Sequence, residues 1–275
     1  MWTLSGFADE ISADLDEQCR VLVELGVSHL EFRSAWGTNV LDLDDARIDR
    51  VSKALAEHGL RVSSIGSPIG KIGVRDDFDG HLRRFDRALH VAEVLAAPYI
   101  RLFSFFLPMD DDPATHRDEV LRRMAALAER AAGREVVLLH ENEKAIYGDS
   151  PARCRDIVES VGSPRLKLAW DAANFVQCGF RPHTDGYPML RPHLEYIQIK
   201  DALLATGEVV PAGQGDGEVR ETLRALRADG FTGFFSLEPH LAAAGTFGGF
   251  SGPELFGVAH RAFTGLLVDE GIEYR

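Results

Sequence analysis

Short apolar runs alternate with helix-length amphipathic segments from the first residues of the chain to the last, which predicts strands and helices in strict turn. The first run, residues 2–7, is followed by a helical pattern at 15–25 that stops at Gly26, a natural left-handed cap. A second strand at 29–33 precedes a helix at about 46–58, which follows the acidic cap candidates Asp44 and Asp45 and closes at Gly59. The rhythm continues with a strand at 61–65, a helix at 78–95, a strand at 99–103, a helix at 115–132 and a strand at 136–141. Ser150 and Pro151 open the next helix, residues 166–171 form a sixth strand, and a helix containing Met189 and Leu190 leads to a seventh at 196–200. A helix at 219–229, ended by Gly230, a strand at 234–238 and a helix at about 254–270 close the pattern.

Eight consecutive βα units with no linker between them predict an α/β fold of the (β/α)8 TIM barrel kind, a single domain over residues 1–275. A doubly wound open sheet would need fewer strands and a glycine-rich nucleotide turn, and no GxGxxG follows the first strand. The longer insertions, 67–79, 105–113 and 239–252, all follow strands, on the side where barrels build their active sites.

Composition narrows the function. With 45% hydrophobic and 27% charged residues the 275-residue chain is ordinary globular material, and its formal charge of −13 disfavours a nucleic-acid partner. Cys19, Cys154 and Cys178 form no CxxC pair, which argues against a disulfide framework or a thiolate zinc site. The first residues lack a basic region followed by an apolar run, and no apolar stretch is long enough to span a bilayer. A cytoplasmic protein with no membrane partner is expected.

Chemistry gathers at the ends of the last four strands. VVLLHEN reaches Glu141, LKLAWD ends in Asp171, YIQIKD carries Gln198 and FFSLEP ends in Glu238, so four neighbouring strands aim oxygen donors at one mouth. Three carboxylates converging there would repel unless neutralised, and one divalent cation is the natural resolution.

These segments resemble the xylose-isomerase-like barrel superfamily, in particular its sugar phosphate isomerase/epimerase group. The resemblance runs over the whole chain and is carried by FADEIS, LEFR, GSPIGK, HEN, WDAAN, QIKDA, GQGDG and SLEPH. It implies a Glu, Asp, His and Glu set on one metal, with Glu141, Asp171 and Glu238 in three of the places and Gln198 departing from the usual His. An all-oxygen set favours Mn²⁺ or Mg²⁺ over Zn²⁺. The resemblance further implies isomerisation or epimerisation of a carbohydrate or polyol by proton transfer next to a carbonyl through a metal-stabilised enediolate, with Glu141 and Glu238 as the acid/base pair. The motifs leave open dehydration or isomerisation of an inosose on the same site, a non-catalytic sugar-binding barrel in which Gln198 has weakened the metal site, and a homo-oligomer. The branch that repairs abasic DNA is disfavoured, because its histidine-rich zinc site has no counterpart here.

Supporting candidates surround the four donors. Lys200 has the strand parity of Gln198 and faces the mouth to bind substrate, with a surface pair to Asp201 as the alternative. Asn174 stands one helical turn beyond Asp171, either against the substrate or simply at a helix start. Arg33, Lys71 and Arg101 are candidates for holding an anionic substrate group, with ion pairs to Asp9, Glu10 or Glu31 as the alternative. Trp36, Phe103, Phe105, Trp170 and Phe175 are sugar-facing aromatics or barrel packing. His140, of opposite parity to Glu141, supports the substrate site from behind it, and His240 could reach the mouth. GQGDG resembles a phosphate loop only weakly, since Asp216 and Glu218 would oppose an anion, and is expected to touch the mouth.

Overall fold

The computed structural model describes residues 1–242 and 251–275, and between them only a short backbone pairing of Ala244–Gly245 with Gly248–Gly249. The middle of the 239–252 insertion therefore lies outside the described residues. Eight parallel strands form the sheet: β1 (Thr3–Gly6), β2 (His29–Phe32), β3 (Arg61–Ile65), β4 (Tyr99–Leu102), β5 (Val137–Glu141), β6 (Leu166–Asp171), β7 (Leu194–Ile199) and β8 (Phe234–Leu237). Each pairs with its sequence neighbour from β2 through β8, and β8 pairs with β1. β1 lies beside β2, so the ring is nearly closed.

Alternate residues of each strand point inward. Tyr99, Val137, Leu139, Ala169, Tyr196 and Phe234 fill the lower interior, which makes it a packed plug rather than a pore. Above them the Ser63 hydroxyl lies 2.6 Å from Ser5 Oγ, 2.8 Å from the Tyr196 hydroxyl and 3.0 Å from the Leu30 carbonyl. One buried hydroxyl thus ties β1, β2 and β7 to β3 around the seam where the β1–β2 ladder is missing.

The surrounding helices are α1 (Leu15–Glu24), α2 (Asp45–Glu57), α3 (Phe78–Val94), α4 (Arg117–Arg130), α5 (Pro151–Val161), α6 (Ala172–Gln177), α7 (Tyr187–Leu190), α8 (Val219–Ala228) and α9 (Gly252–Asp269). Asp14, Asp44, Asp77 and Ser150 cap four of them by accepting N–H bonds from the first turn, as their positions before apolar periodicity suggest. Two features depart from the expected pattern. α6 follows β6 directly, and six residues are too few to print a helical period. The helix expected around Met189 is a single turn after the π-type turn Pro182–Gly186, because Pro182 and Pro188 leave no room for a longer ladder.

The 67–79 insertion is tied to the loop after β4: Phe103 N–H donates to the Ile69 carbonyl, Phe105 N–H to that of Gly70 and Phe106 N–H to that of Ile72. Gly70 has φ +88, and a Cβ there would strike the Phe103 carbonyl, so only glycine lets the two loops meet. The same loop is held by His81, whose Nε2 accepts the Gly70 N–H at 2.8 Å. Among the described residues no helix is long and apolar enough to cross a membrane.

Burial pushes the His81 and His29 imidazoles down to about 4, with arginines nearby adding to the effect. Between that value and the ordinary histidine value of ~6.5 the unfolded chain binds protons that the folded chain does not. Their contribution is whole above ~6.5 and lost as pH falls through about 4. The urea midpoint should accordingly drop from pH 7 to pH 4, and a flat profile would show that neither ring stays neutral in the fold.

Candidate active site at the barrel mouth

Strand parity sets the site. Glu141 shares a side of β5 with the interior residues Val137 and Leu139, Asp171 shares one with Ala169, and Gln198 one with Tyr196. Glu238 follows β8 in step with Phe234 and Ser236. Glu141, Asp171 and Glu238 are buried, and each offers a carboxylate oxygen within 4.8 Å of the others. Gln198 Nε2 donates to Glu141 Oε2 at 3.1 Å and approaches Glu31 Oε1 at 3.4 Å. Its Oε1 accepts no hydrogen bond.

Cations thread between these acids. Lys200 Nζ forms an ion pair with Asp171 Oδ2 at 2.7 Å and donates to Glu238 Oε2 at 3.0 Å. Arg101 Nη1 is 3.1 Å from Glu141 Oε2. Arg33 donates through Nε to Asp9 at 2.7 Å, through Nη1 to Glu238 at 3.0 Å and through Nη2 to Glu10 at 3.0 Å. Aromatic rings separate the cations in a stack: Arg33 lies over Phe7, Arg101 between Phe7 and Phe103, and Lys71 over Phe103, at 4.3–5.0 Å from the ring centroids.

The electrostatics differ sharply between the two glutamates. Burial opposes ionisation of Glu238, but Lys200, His240 and Arg33 outweigh it and hold the carboxyl well below the usual range. Burial pushes Glu141 up against the pull of Arg101, with Glu238 and Asp171 adding to the rise. Asp171 is also raised by burial despite Lys200. Lys200 is disfavoured as a cation by burial, yet Asp171 and Glu238 drive its ammonium well above the ordinary lysine range.

Several expectations are settled by these contacts. Lys200 faces the mouth and does not pair with Asp201. Asp201 points the other way, and its carboxylate accepts N–H bonds from Ala202, Gly213, Gly215 and Gly217 at 2.8–3.0 Å. GQGDG is therefore a cradle for the chain's own aspartate, and Cβ atoms at Gly215 or Gly217 would strike that carboxylate. Asp201→Ala should leave several of these N–H groups unpaired and cost about 3 kcal/mol, read as a lower urea midpoint; a loss within error would mean that water replaces the carboxylate without cost.

Asn174 stands at the helix start, its N–H donating to Asp171 Oδ1 at 2.9 Å, and its side chain donates to Glu141 Oε1 at 3.2 Å. Arg33 and Arg101 follow the ion-pair alternative, and Lys71 pairs with Glu143 at 3.3 Å. His140 lies behind the site, as its parity predicts, and does not line the mouth. It is fully buried against Gly148 behind β5, where burial drives it down to about 3. Trp36 sits half-buried in a tight turn after β2 with one ring face covered by Arg50 of α2. Phe103, Phe105, Trp170 and Phe175 are buried packing. His240 does reach the site, its Nε2 lying 3.2 Å from Glu10 and 3.4 Å from Glu238.

Three further residues show their parts at the mouth once the chain is folded. Glu31 lies beneath Gln198 with its carboxyl raised by burial to about 8; its interior parity in β2 was the available signal. Phe7 separates two guanidinium groups. Asn142 exchanges two hydrogen bonds with the Asp171 backbone, at 2.8 and 2.9 Å, and locks the ends of β5 and β6 together.

Comparison with known proteins places this geometry in context. A 113-residue stretch is 37% identical to 2-epi-5-epi-valiolone 7-phosphate 2-epimerase of Actinoplanes sp., covering 41% of this chain and 39% of that enzyme's length. The 3-keto-D-glucoside 4-epimerase of E. coli superposes with a TM-score of 0.73 at 16% identity, over 98% of this chain and all of that one. A xylose isomerase-like TIM barrel protein of Mycobacterium smegmatis in complex with magnesium superposes with a TM-score of 0.68 at 20% identity, over 97% of each chain. Such structural likeness speaks for the fold. Residues 19–250 match the xylose isomerase-like TIM barrel family, and the chain belongs to it.

Proposed function

We propose that the chain is a divalent-metal-dependent sugar or sugar-phosphate isomerase or epimerase that moves a proton on a carbon next to a carbonyl. The observation that carries this is the trio of buried carboxylates at one barrel mouth, with Gln198 Oε1 beside them accepting no hydrogen bond. These donors fit a hard cation, since all are oxygens and three are acidic. Glu141, Asp171, Gln198 and Glu238 would hold it, sharing Asp171 and Glu238 with Lys200, and Mn²⁺ or Mg²⁺ suits them better than Zn²⁺. Bound there, the ion would polarise the substrate carbonyl and offset the negative charge that develops on proton removal.

The chain's own groups do the rest. Glu238, held as an anion by its cations, takes the proton, and Glu141, across the mouth on β5, returns one. Lys200 donates to the developing oxyanion, Asn174 fixes Glu141, and Arg101 spans both glutamates. The family, the epimerase that matches part of the chain and the epimerase of the same fold support an isomerase-type reaction.

The test is metal analysis of protein purified without chelator, followed by solvent-proton exchange into a panel of monosaccharides, sugar phosphates and inososes. One divalent ion per chain, exchange abolished by EDTA and restored by Mn²⁺ or Mg²⁺ is the expected result. Protein that binds no divalent ion at micromolar concentration would instead be a non-catalytic barrel.

A further inference from the structure

Glu31 has no part in the ligand set or the proton transfer proposed above, yet it is buried among the groups that do. The sheet puts it there. The ladder between β2 and β3 slips by one residue between Leu30 and Glu31, so that Glu31 pairs with Ser64 and Ser63 is passed over. Such a slip re-aims a side chain and recurs beside active sites. Glu31 Oε1 lies 3.4 Å from Gln198 Nε2 and 4.0 Å from Arg101 Nε. Arg101 Nε makes no hydrogen bond, so the Glu31 carboxyl is its counterpart on that edge of the guanidinium, while Nη1 faces Glu141 at 3.1 Å.

The two ends of the Gln198 amide are nearly the same size, and its last torsion is soft, so only its partners decide which end faces where. Nε2 carries two N–H groups and meets two carboxyls, Glu141 Oε2 at 3.1 Å and Glu31 Oε1 at 3.4 Å. Turned the other way, the amide would set its oxygen against both carboxyls and carry its two N–H groups away from them. Buried polar groups left unpaired make that orientation costly. With Glu141 alone, one N–H would be held and the other would not. A neutral carboxyl keeps a carbonyl oxygen that accepts an N–H, so this brace needs neither acid to be ionised. Gln198 Oε1 is thereby turned from both acids and is left as an acceptor with no hydrogen bond of its own.

We infer that Glu31 is a positioning residue: with Glu141 it fixes the Gln198 side chain so that the amide oxygen, and not the nitrogen, is offered as a ligand. The use of that oxygen rests on the isomerase reading above; the orientation of the amide depends on no ion. Glu31 acts through Gln198 and touches no reacting atom.

Side-chain amide resonances of ¹⁵N-labelled protein kept in EDTA read the orientation directly, with Gln198 assigned by its loss in Gln198→Ala. In Glu31→Leu one of the two Gln198 N–H protons should move upfield, as a proton that loses its hydrogen bond does, and in Glu31→Gln, which keeps a carbonyl oxygen at that place, it should stay near its wild-type position. Glu31→Asp draws the carboxyl back by one methylene and gives the same shift in smaller degree, which serves should the leucine variant not fold. Mn²⁺, titrated calorimetrically, should bind Glu31→Leu roughly tenfold more weakly than wild type, with Glu31→Gln close to wild type. In a Gln198→Ala background Glu31→Leu should add no further loss, because the residue acts through the amide. Unshifted amide protons in the leucine and aspartate variants overturn the inference, since Glu141 alone would then fix the amide. An equal loss of Mn²⁺ affinity with and without Gln198 also overturns it, by showing that Glu31 only supports the fold. Wild-type protein that takes up no Mn²⁺ would overturn the isomerase reading, and the amide spectrum would still decide the orientation.

Discussion

Glu238→Gln should reduce solvent-proton exchange into substrate by ~10³-fold or more while the protein stays folded and still binds its divalent ion. The amide keeps the size of the side chain and a ligating oxygen but cannot accept a proton at neutral pH. The surrounding cations remain compensated: Arg33 keeps Asp9 and Glu10, Lys200 keeps Asp171, and Arg101 keeps Glu141. That is why a collapse of the site, which follows when a buried charge loses its partner outright, is not expected. A thermal melt and a metal titration of the variant check both points, and each should change far less than the exchange rate. Undiminished exchange in a folded, metal-loaded variant would remove Glu238 from the role of base.

How much of this was legible in the chain depends on how local each signal is. Glu141, Asp171, Gln198 and Glu238 are legible because a strand has a period of two and each stands at the end of an apolar run, so its side and its height in the barrel follow from neighbours a few residues away. The same rule turns Lys200 inward and Asp201 outward. It also turns His140 away from the mouth, so that a residue beside Glu141 in sequence sits behind the strand.

What the rule does not supply is the partner. Asp201 is satisfied by glycine N–H groups more than ten residues downstream, a cradle that exists only once the loop folds back. Arg33 meets Glu238 across 205 positions of sequence. For the same reason three cations that look available for an anion in the sequence are paired with carboxylates in the fold. Glu31 is an intermediate case: its parity is plain, but its depth beneath Gln198 depends on the register of β2 against the rest of the ring.

The departure at Gln198 gives the second large effect. If residue 198 is a ligand, Gln198→His exchanges a hard neutral oxygen for an imidazole nitrogen, and the preference for Zn²⁺ over Mn²⁺ should rise by ~10- to 100-fold in a competitive metal titration. The direction follows from donor softness and needs no assay of activity. The variant also has a local cost, because Gln198 Nε2 presently serves Glu141 and Glu31 at 3.1 and 3.4 Å, and an imidazole that ligates an ion has only its other nitrogen to offer them. Glu141 would then be held by Arg101 and Asn174 alone, so a fall in turnover with any metal is expected beside the altered preference. An unchanged Zn²⁺/Mn²⁺ ratio in a folded variant would mean that position 198 only braces the two glutamates, with the ion held by Glu141, Asp171 and Glu238.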